Sequence, residues 1–389
     1  MDPIYDELKR SLDVAGPSVA IDALIDHLRQ TKQNHRLFEA LTLRAKHTLQ
    51  LPLAGQAELV DLDDDRRIAI EELLTRACRE VGHLFLQEGD VPGAYGYLQM
   101  IGELEPIKQT LDSTSPAEED VPAWIDVALY RGAHPARGVE LVLRHYGVCQ
   151  AITACESLFS QSTSMLARTA AVEHIVGQLH ADLRERLSLE IERQEGQPPS
   201  AGRLTDWIAQ RDWLFAEDNY HVDTSHLQAA IRMARLIDSP VVYALGIELC
   251  SYGEKLSPKY RYADPEPFAD VYTDSKRYFE TLLGNSAEAG LSFFREKAEQ
   301  LTPTEVGTFP TEVYLRLLQK LRNHDDAIAF VRTREAATMG NLSGLIDSIC
   351  EEAGDYETLA EWARDRENLP AYLAALLTSR AKTTASPGT

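Results

Sequence analysis

Residues Thr75–Ile107, TRACREVGHLFLQEGDVPGAYGYLQMIGELEPI, carry the clearest structural signal in the 389-residue chain. Small and apolar residues fall where a pair of packed helices needs them. Gly82 stands three residues before Phe85, Gly89 marks a turn, Ala94, Leu98 and Ile101 carry a second helix, and Pro106 closes the unit. A small residue on one helix of a hairpin lets the other approach. Bulky residues then fill the groove left toward the next hairpin.

Toward the N-terminus, residues 4–50 divide into two to three helices. Ile4, Leu8 and Leu12 form a stripe at i, i+4, i+8 spacing, Gly16-Pro17-Ser18 is a break, and Ala20, Ile21, Leu24, Ile25 and Leu28 make the next apolar face. Leu37, Leu41 and Ala45 continue the pattern. Asp61–Asp65 is an acidic run ahead of the following helix, where carboxylates suit the positive end of the helix dipole.

The 75–107 stretch resembles a tetratricopeptide repeat, a helical hairpin of about 34 residues. Gly82 takes the helix-contact glycine position, Phe85 the aromatic position, and Ala94, Leu98 and Pro106 the small, bulky and closing positions, while Cys78 replaces the pattern's tryptophan and Val81 its leucine. Echoes follow at Arg322–Ile328, behind Val313, Leu317, Leu318 and Leu321, and at Gly354–Leu359, ahead of Trp362 and Ala363; Gly16–Leu28 is a shortened version. The resemblance implies an α-solenoid of helical hairpins, with a concave surface suited to peptides or helices. It covers 1–112 and 302–381. Between them lie a polar, proline-containing linker at 113–120 and a larger helical central domain at 121–301, and 382–389 is expected as a disordered tail.

In that central region helical spacing covers Val139–Phe159, Met165–Glu192, Leu227–Ile237, Val241–Tyr252, Asp270–Leu283 and Ala287–Leu301. The loop Ser257–Phe268, SPKYRYADPEPF, is rich in tyrosine and proline and long for a plain connection. No alternating, strand-like run of useful length occurs, so the predicted class is all-α.

Composition narrows the function. Hydrophobic residues at 44% and charged residues at 26% fit a globular protein with a buried core. The net charge of −22, from 39 basic and 61 acidic residues, argues against nucleic acid and against anionic membrane surfaces as partners. MDPIYDELKR lacks the apolar stretch of a secretory signal, and no apolar run is long enough to cross a bilayer. Five scattered cysteines (Cys78, Cys149, Cys155, Cys250, Cys350) read as reduced, buried thiols, and a cytoplasmic location is expected.

Chemistry-bearing motifs are few. His221, Asp223 and His226, with His145, are the residues from which a His/Asp site for a divalent metal such as zinc could be assembled. Against this, Asp223 also reads as the N-cap of the helix beginning at Thr224. His145 and Cys149 are four apart and so share a helix face; Ser162-Thr163-Ser164 reads as a helix start rather than a nucleophile. Signatures such as HExxH, paired CxxC, GxSxG or a phosphate-binding glycine loop do not occur. Aromatics from Trp207 to Tyr272, with Arg235, Arg261 and Arg277 nearby, either pack the core or line a partner groove, for which Trp213, Tyr220, Tyr260, Arg261 and Tyr262 are the candidate anchors. The function expected is a cytoplasmic helical-repeat scaffold for a protein or peptide, needing no cofactor. The alternative is a metal-dependent, hydrolase-like enzyme.

Overall fold

A computed structural model describes residues 3–53, 62–160, 164–300, 307–334 and 339–385. Every regular element among them is helical, which bears out the all-α expectation. The chain forms two compact units, 1–171 and 172–389. The division falls inside the stretch read from sequence as one central domain.

The first unit begins with α1 (Ile4–Ala15), α2 (Pro17–Gln30) and α3 (Asn34–Thr48), each packed on the next. α4 (Asp64–Gln87) is capped by Asp63, whose side chain accepts from Arg66 N, and Asp64 and Asp65 occupy its first turn; Asp61 lies outside the described residues. α5 (Val91–Leu98) and α6 (Glu105–Ser113) follow. The polar stretch at 113–120 is a short connection within this unit, leading into α7 (Val121–Ile125), a π-helical turn (Asp126–Tyr130) and α8 (Pro135–Ser160). Arg137 Nε on α8 donates to Leu111 O at 2.9 Å, tying α8 back to α6 across that connection.

The second unit takes α9 (Met165–Glu195) from Val172 onward, then α10 (Leu204–Ile208), α11 (Thr224–Arg235), α12 (Pro240–Gly253), α13 (Val271–Leu282) and α14 (Ala287–Gln300). After residue 306 come α15 (Phe309–Lys320), α16 (His324–Arg332), α17 (Ser343–Ala353), α18 (Tyr356–Asp365) and α19 (Leu369–Ala385). α19 runs into the stretch read as a tail, and residues 386–389 lie outside the described residues. Consecutive helices from α12 to α19 pack on one another, consistent with helical repeats.

One turn design recurs among the described residues, and in five cases it leads directly into the next helix. Lys32, Gly89, Arg322, Gly354 and Glu367 each end a helix in the left-handed conformation, with φ between 55° and 79°. The next residue's N–H then reaches back five positions, to Leu28 O, Phe85 O, Leu318 O, Cys350 O and Ala363 O, at 2.9–3.0 Å. This closes the orphan carbonyls of the finished helix. At four of the five that next residue is Asp or Asn and caps the following helix: Asp90, Asn323, Asp355 and Asn368 accept from Gly93 N, Asp326 N, Thr358 N and Ala371 N. The segments at 322–328 and 354–359 that echo the repeat are two of these turns.

Glycines set the closest helix contacts. A Cβ on Gly82 of α4 would lie 2.5 Å from Leu98 Cγ of α5, so the small–bulky pair read from sequence is an actual contact. Pro106, expected to close this unit, instead sits in the first turn of α6, where its missing N–H costs no hydrogen bond; the unit ends at Gly102, with φ of 72°. The device reappears in the region the repeat pattern did not reach. Gly246 and Gly253, seven residues apart on α12, face Phe279 and Tyr272, seven apart in the reverse sense on α13, with Cβ positions 2.8 and 2.2 Å from the rings. That register defines an antiparallel hairpin packed backbone against ring.

Candidate functional site

α11 is amphipathic in two stripes. Leu227, Ala230, Ile231 and Ala234 are buried and turn the helix toward the core. Beside them Gln228, Arg232 and Arg235, at i, i+4 and i+7, form a polar stripe that meets one carboxylate, Asp264 of the 257–268 loop. Asp264 Oδ1 accepts from Arg232 Nε at 2.7 Å and from Gln228 Nε2 at 3.4 Å, and a second Arg232 nitrogen also pairs with it; Oδ2 accepts from Arg235 Nη2 at 2.8 Å. The carboxylate is 1% exposed. Burial alone pushes its pKa up, but the hydrogen bonds and charges of Arg232 and Arg235 prevail and hold it below the ordinary value.

Arg235, with a side chain only 10% exposed, is fixed on every side. Its guanidinium lies 3.9 Å from the Phe268 ring centroid and donates to Ser275 Oγ at 3.3 Å. Phe268 stands edge-on to Tyr278, with centroids 5.7 Å apart, and touches Phe294 and Phe309. Lys297 pairs with Glu266 at 2.9 Å, holding the loop from the α14 side. The long loop is therefore an ordered structure built around Asp264 and Phe268.

Between this loop, α11 and α15 lies a cleft of about 410 Å³. Phe268, Tyr278, Leu236 and Val313 give it an apolar lining. Along α15, Phe309, Glu312, Val313 and Arg316 recur at i, i+3, i+4 and i+7, which places all four on the cleft wall. Arg316 is 54% exposed and donates from Nε to Glu312 Oε1 at 2.9 Å. Three arginines against two carboxylates leave a local surplus of one positive charge, in a chain whose net charge is −22.

The residues singled out from sequence fall elsewhere. Tyr220 and Tyr260 pair edge-on at 5.0 Å, with Lys259 above Tyr260 and bonded to Asp218 at 2.6 Å; this small aromatic surface is partly exposed, as is Tyr262. Trp213 is half-buried. Arg261 turns inward, donating to Leu256 O at 2.9 Å and to Glu254 O, so it closes the end of α12. Arg277 stacks over Phe293 at 4.0 Å. Of the arginines named from sequence, Arg235 lines the cleft; Asp264, Arg232, Arg316 and Phe309 were not read. The polar i, i+4, i+7 stripe on α11 was the available signal for the first two.

The proposed metal residues hold other positions. Asp223 caps α11, accepting from Ser225 N at 2.8 Å, Ser225 Oγ at 2.6 Å and His226 N at 3.3 Å. His221 is buried: its backbone N–H donates to Tyr252 Oη at 2.7 Å, Nδ1 lies 3.0 Å from the same oxygen, and Nε2 lies 3.0 Å from Glu190 Oε2 without hydrogen-bond alignment. His226 is half-buried at the start of α11, and His145 belongs to the first unit. Among the described residues no group of three or more His, Cys, Asp or Glu is arranged to hold a metal ion. The face that His145 and Cys149 were expected to share is interrupted by Gly147, whose φ of 83° and ψ of 176° break α8 between them. Ser164 Oγ accepts from Ala167 N at the start of α9; Ser162 and Thr163 lie outside the described residues. Cys149 is exposed and the other four cysteines are buried, burial pushing the Cys155 and Cys350 thiols up to about 12.

His221 makes a pH-dependent contribution. Burial lowers its pKa from the ordinary value near 6.5, against the upward pull of Glu190. The unfolded chain therefore takes up this proton before the folded one does. Stability is complete above about pH 6.5 and falls as the pH drops below it. His221→Gln is expected to flatten the melting-temperature slope between about pH 6.5 and pH 5; an unchanged slope in the variant would exclude His221 as its source.

Among the described residues no helix is long and apolar enough to cross a membrane. No protein-family model, no curated protein and no solved structure matches this chain.

Proposed function

We propose that this protein is a cytoplasmic scaffold of tetratricopeptide-like helical hairpins that binds a segment of a partner protein, and that the α11–α15 cleft is its principal contact. The repeat reading draws on the recurrent αL–Asx turn and on the Gly82–Leu98 contact. The hairpin at 75–107 departs from a regular repeat in length: α4 has 24 residues and α5 only 8. The observation that carries the binding reading is an apolar cleft with an exposed Phe309 and Arg316 at its mouth. Aromatic and arginine side chains dominate interface anchors because they offer large contact areas and directional hydrogen bonds.

The test is capture from cell extract by the full-length chain, repeated with Phe309→Ala and Arg316→Glu. A discrete partner retained by the parent and lost by both folded variants is the expected result. Equal recovery by the parent, the variants and an unrelated acidic helical protein would refute the scaffold reading.

A further inference from the structure

We propose that the α11–α15 cleft recognises an acidic residue adjacent to a bulky apolar one in the partner's chain. This inference rests on the scaffold reading and specifies its ligand. The cleft offers two different surfaces close together. Its interior, with Phe268, Tyr278 and Val313, accepts an apolar side chain; its volume of about 410 Å³ suits one or two side chains rather than a folded element. Its edge presents Arg232 and Arg316, both about half exposed. A guanidinium binds a carboxylate through two parallel hydrogen bonds, which selects an acid over its amide isostere.

Charge supports this occupant. A chain of net charge −22 repels acidic segments on average. A local positive surplus is therefore where such a segment finds complementarity, and the surrounding charge disfavours docking elsewhere. Arg232 and Arg316 have separate parts in this. Arg232 keeps Asp264 as a partner and is held in place by it. Arg316 pairs with Glu312 one turn before it on the same helix, an exposed i, i+4 pair of small strength that an incoming carboxylate can replace. The immobilised Arg235–Phe268 stack beneath spares the complex the ordering of the cleft floor.

The experiment uses the full-length chain and fluorescence anisotropy with labelled peptides. One set places Asp or Glu beside Leu, Phe or Trp in a neutral background; a matched set carries Asn or Gln instead. Free dodecanoate and phenylacetate serve as competitors, and hydrogen exchange locates the bound peptide. Acidic–apolar peptides are expected to bind at α11 and α15, to weaken about tenfold or more as amides, and to weaken with rising salt. Arg316→Glu should abolish this binding and Phe309→Ala should weaken it at unchanged melting temperature; Arg316→Gln should fall between. Equal binding by the amide set overturns the proposal. So does displacement by the free acids at the affinity of the best peptide, which would mark a small-acid site. Protection confined to helices of the first unit removes this inference together with the α11–α15 cleft as principal contact, and leaves partner binding by the helical-repeat chain standing. Absence of peptide binding anywhere, together with absence of a captured partner, removes both.

Discussion

Replacing Asp264 with alanine is expected to destabilise the second unit by about 3–5 kcal/mol, the range for breaking a buried ion pair from one side. The cost centres on Arg235. Arg232 is half exposed and can turn its guanidinium to water when Asp264 is lost. Gln228 keeps a hydrogen bond to Tyr262 O at 2.9 Å. Arg235 has no such release: it lies between Phe268 and Ser275 and would keep its charge with a single neutral acceptor. Asp264→Asn retains the shape and one acceptor oxygen, so it should cost less. The diagnostic variant is Asp264→Ala combined with Arg235→Met, which removes charge and countercharge together. Its destabilisation should be well below the sum of the single changes, because no unpaired charge stays buried. Urea unfolding followed by hydrogen exchange on α11–α13 measures Asp264→Ala, Asp264→Asn, Arg235→Met and the double variant. A single-variant cost below about 1 kcal/mol, or strict additivity in the double variant, would show that the cluster is not electrostatically coupled. Acid behaviour gives an independent sign. Because Asp264 is held below its ordinary value, its contribution is present above about pH 4 and is lost as the pH falls through the folded value. The Asp264→Ala chain should lack that acid limb while keeping the His221 slope at higher pH.

Local helical structure was legible in the sequence because it depends on residues three and four apart. The apolar faces of α2, α3 and α11, the turns at Gly89, Asn323 and Gly354, and the cap at Asp223 all follow from such spacing. What escaped depends on pairs distant in the chain. Asp264 lies 32 residues from Arg232 and 29 from Arg235, and nothing in its neighbours Ala263 and Pro265 announces two arginine partners. Arg316 approaches the cleft from another helix altogether. The loop's tyrosines drew attention as anchors, yet the residues that organise it are its aspartate and its phenylalanine. Arg261, read as a contact for a partner, is consumed by the carbonyls at the end of α12. Gly147 misled for the opposite reason: a single glycine within an apolar-spaced helix is compatible with continuity, and only its left-handed φ reveals the break.

Gly253→Ala should cost about 3 kcal/mol, although the same change is favourable at an ordinary helical site. Gly253 is the last residue of α12 and does not need a left-handed backbone, so alanine fits its conformation and by itself strengthens the helix. The penalty comes from across the interface. The added methyl would stand 2.2 Å from Tyr272 Cδ1 and 2.4 Å from Cε1, against the roughly 3.5–4.0 Å that carbon atoms tolerate. Tyr272 is fully buried, and its ring cannot swing aside without displacing its neighbours. Gly246 meets Phe279 in the same manner seven residues earlier, so a shift of α13 that relieves one contact strains the other. The sign should therefore reverse when the ring is removed. In a Tyr272→Ala background, Gly253→Ala refills part of the vacated space and is expected to stabilise by up to about 1 kcal/mol. Chemical denaturation of the four chains in this cycle decides the matter. A neutral or stabilising Gly253→Ala in the parent chain would mean that α12 and α13 are not held at the separation that makes Gly246 and Gly253 necessary.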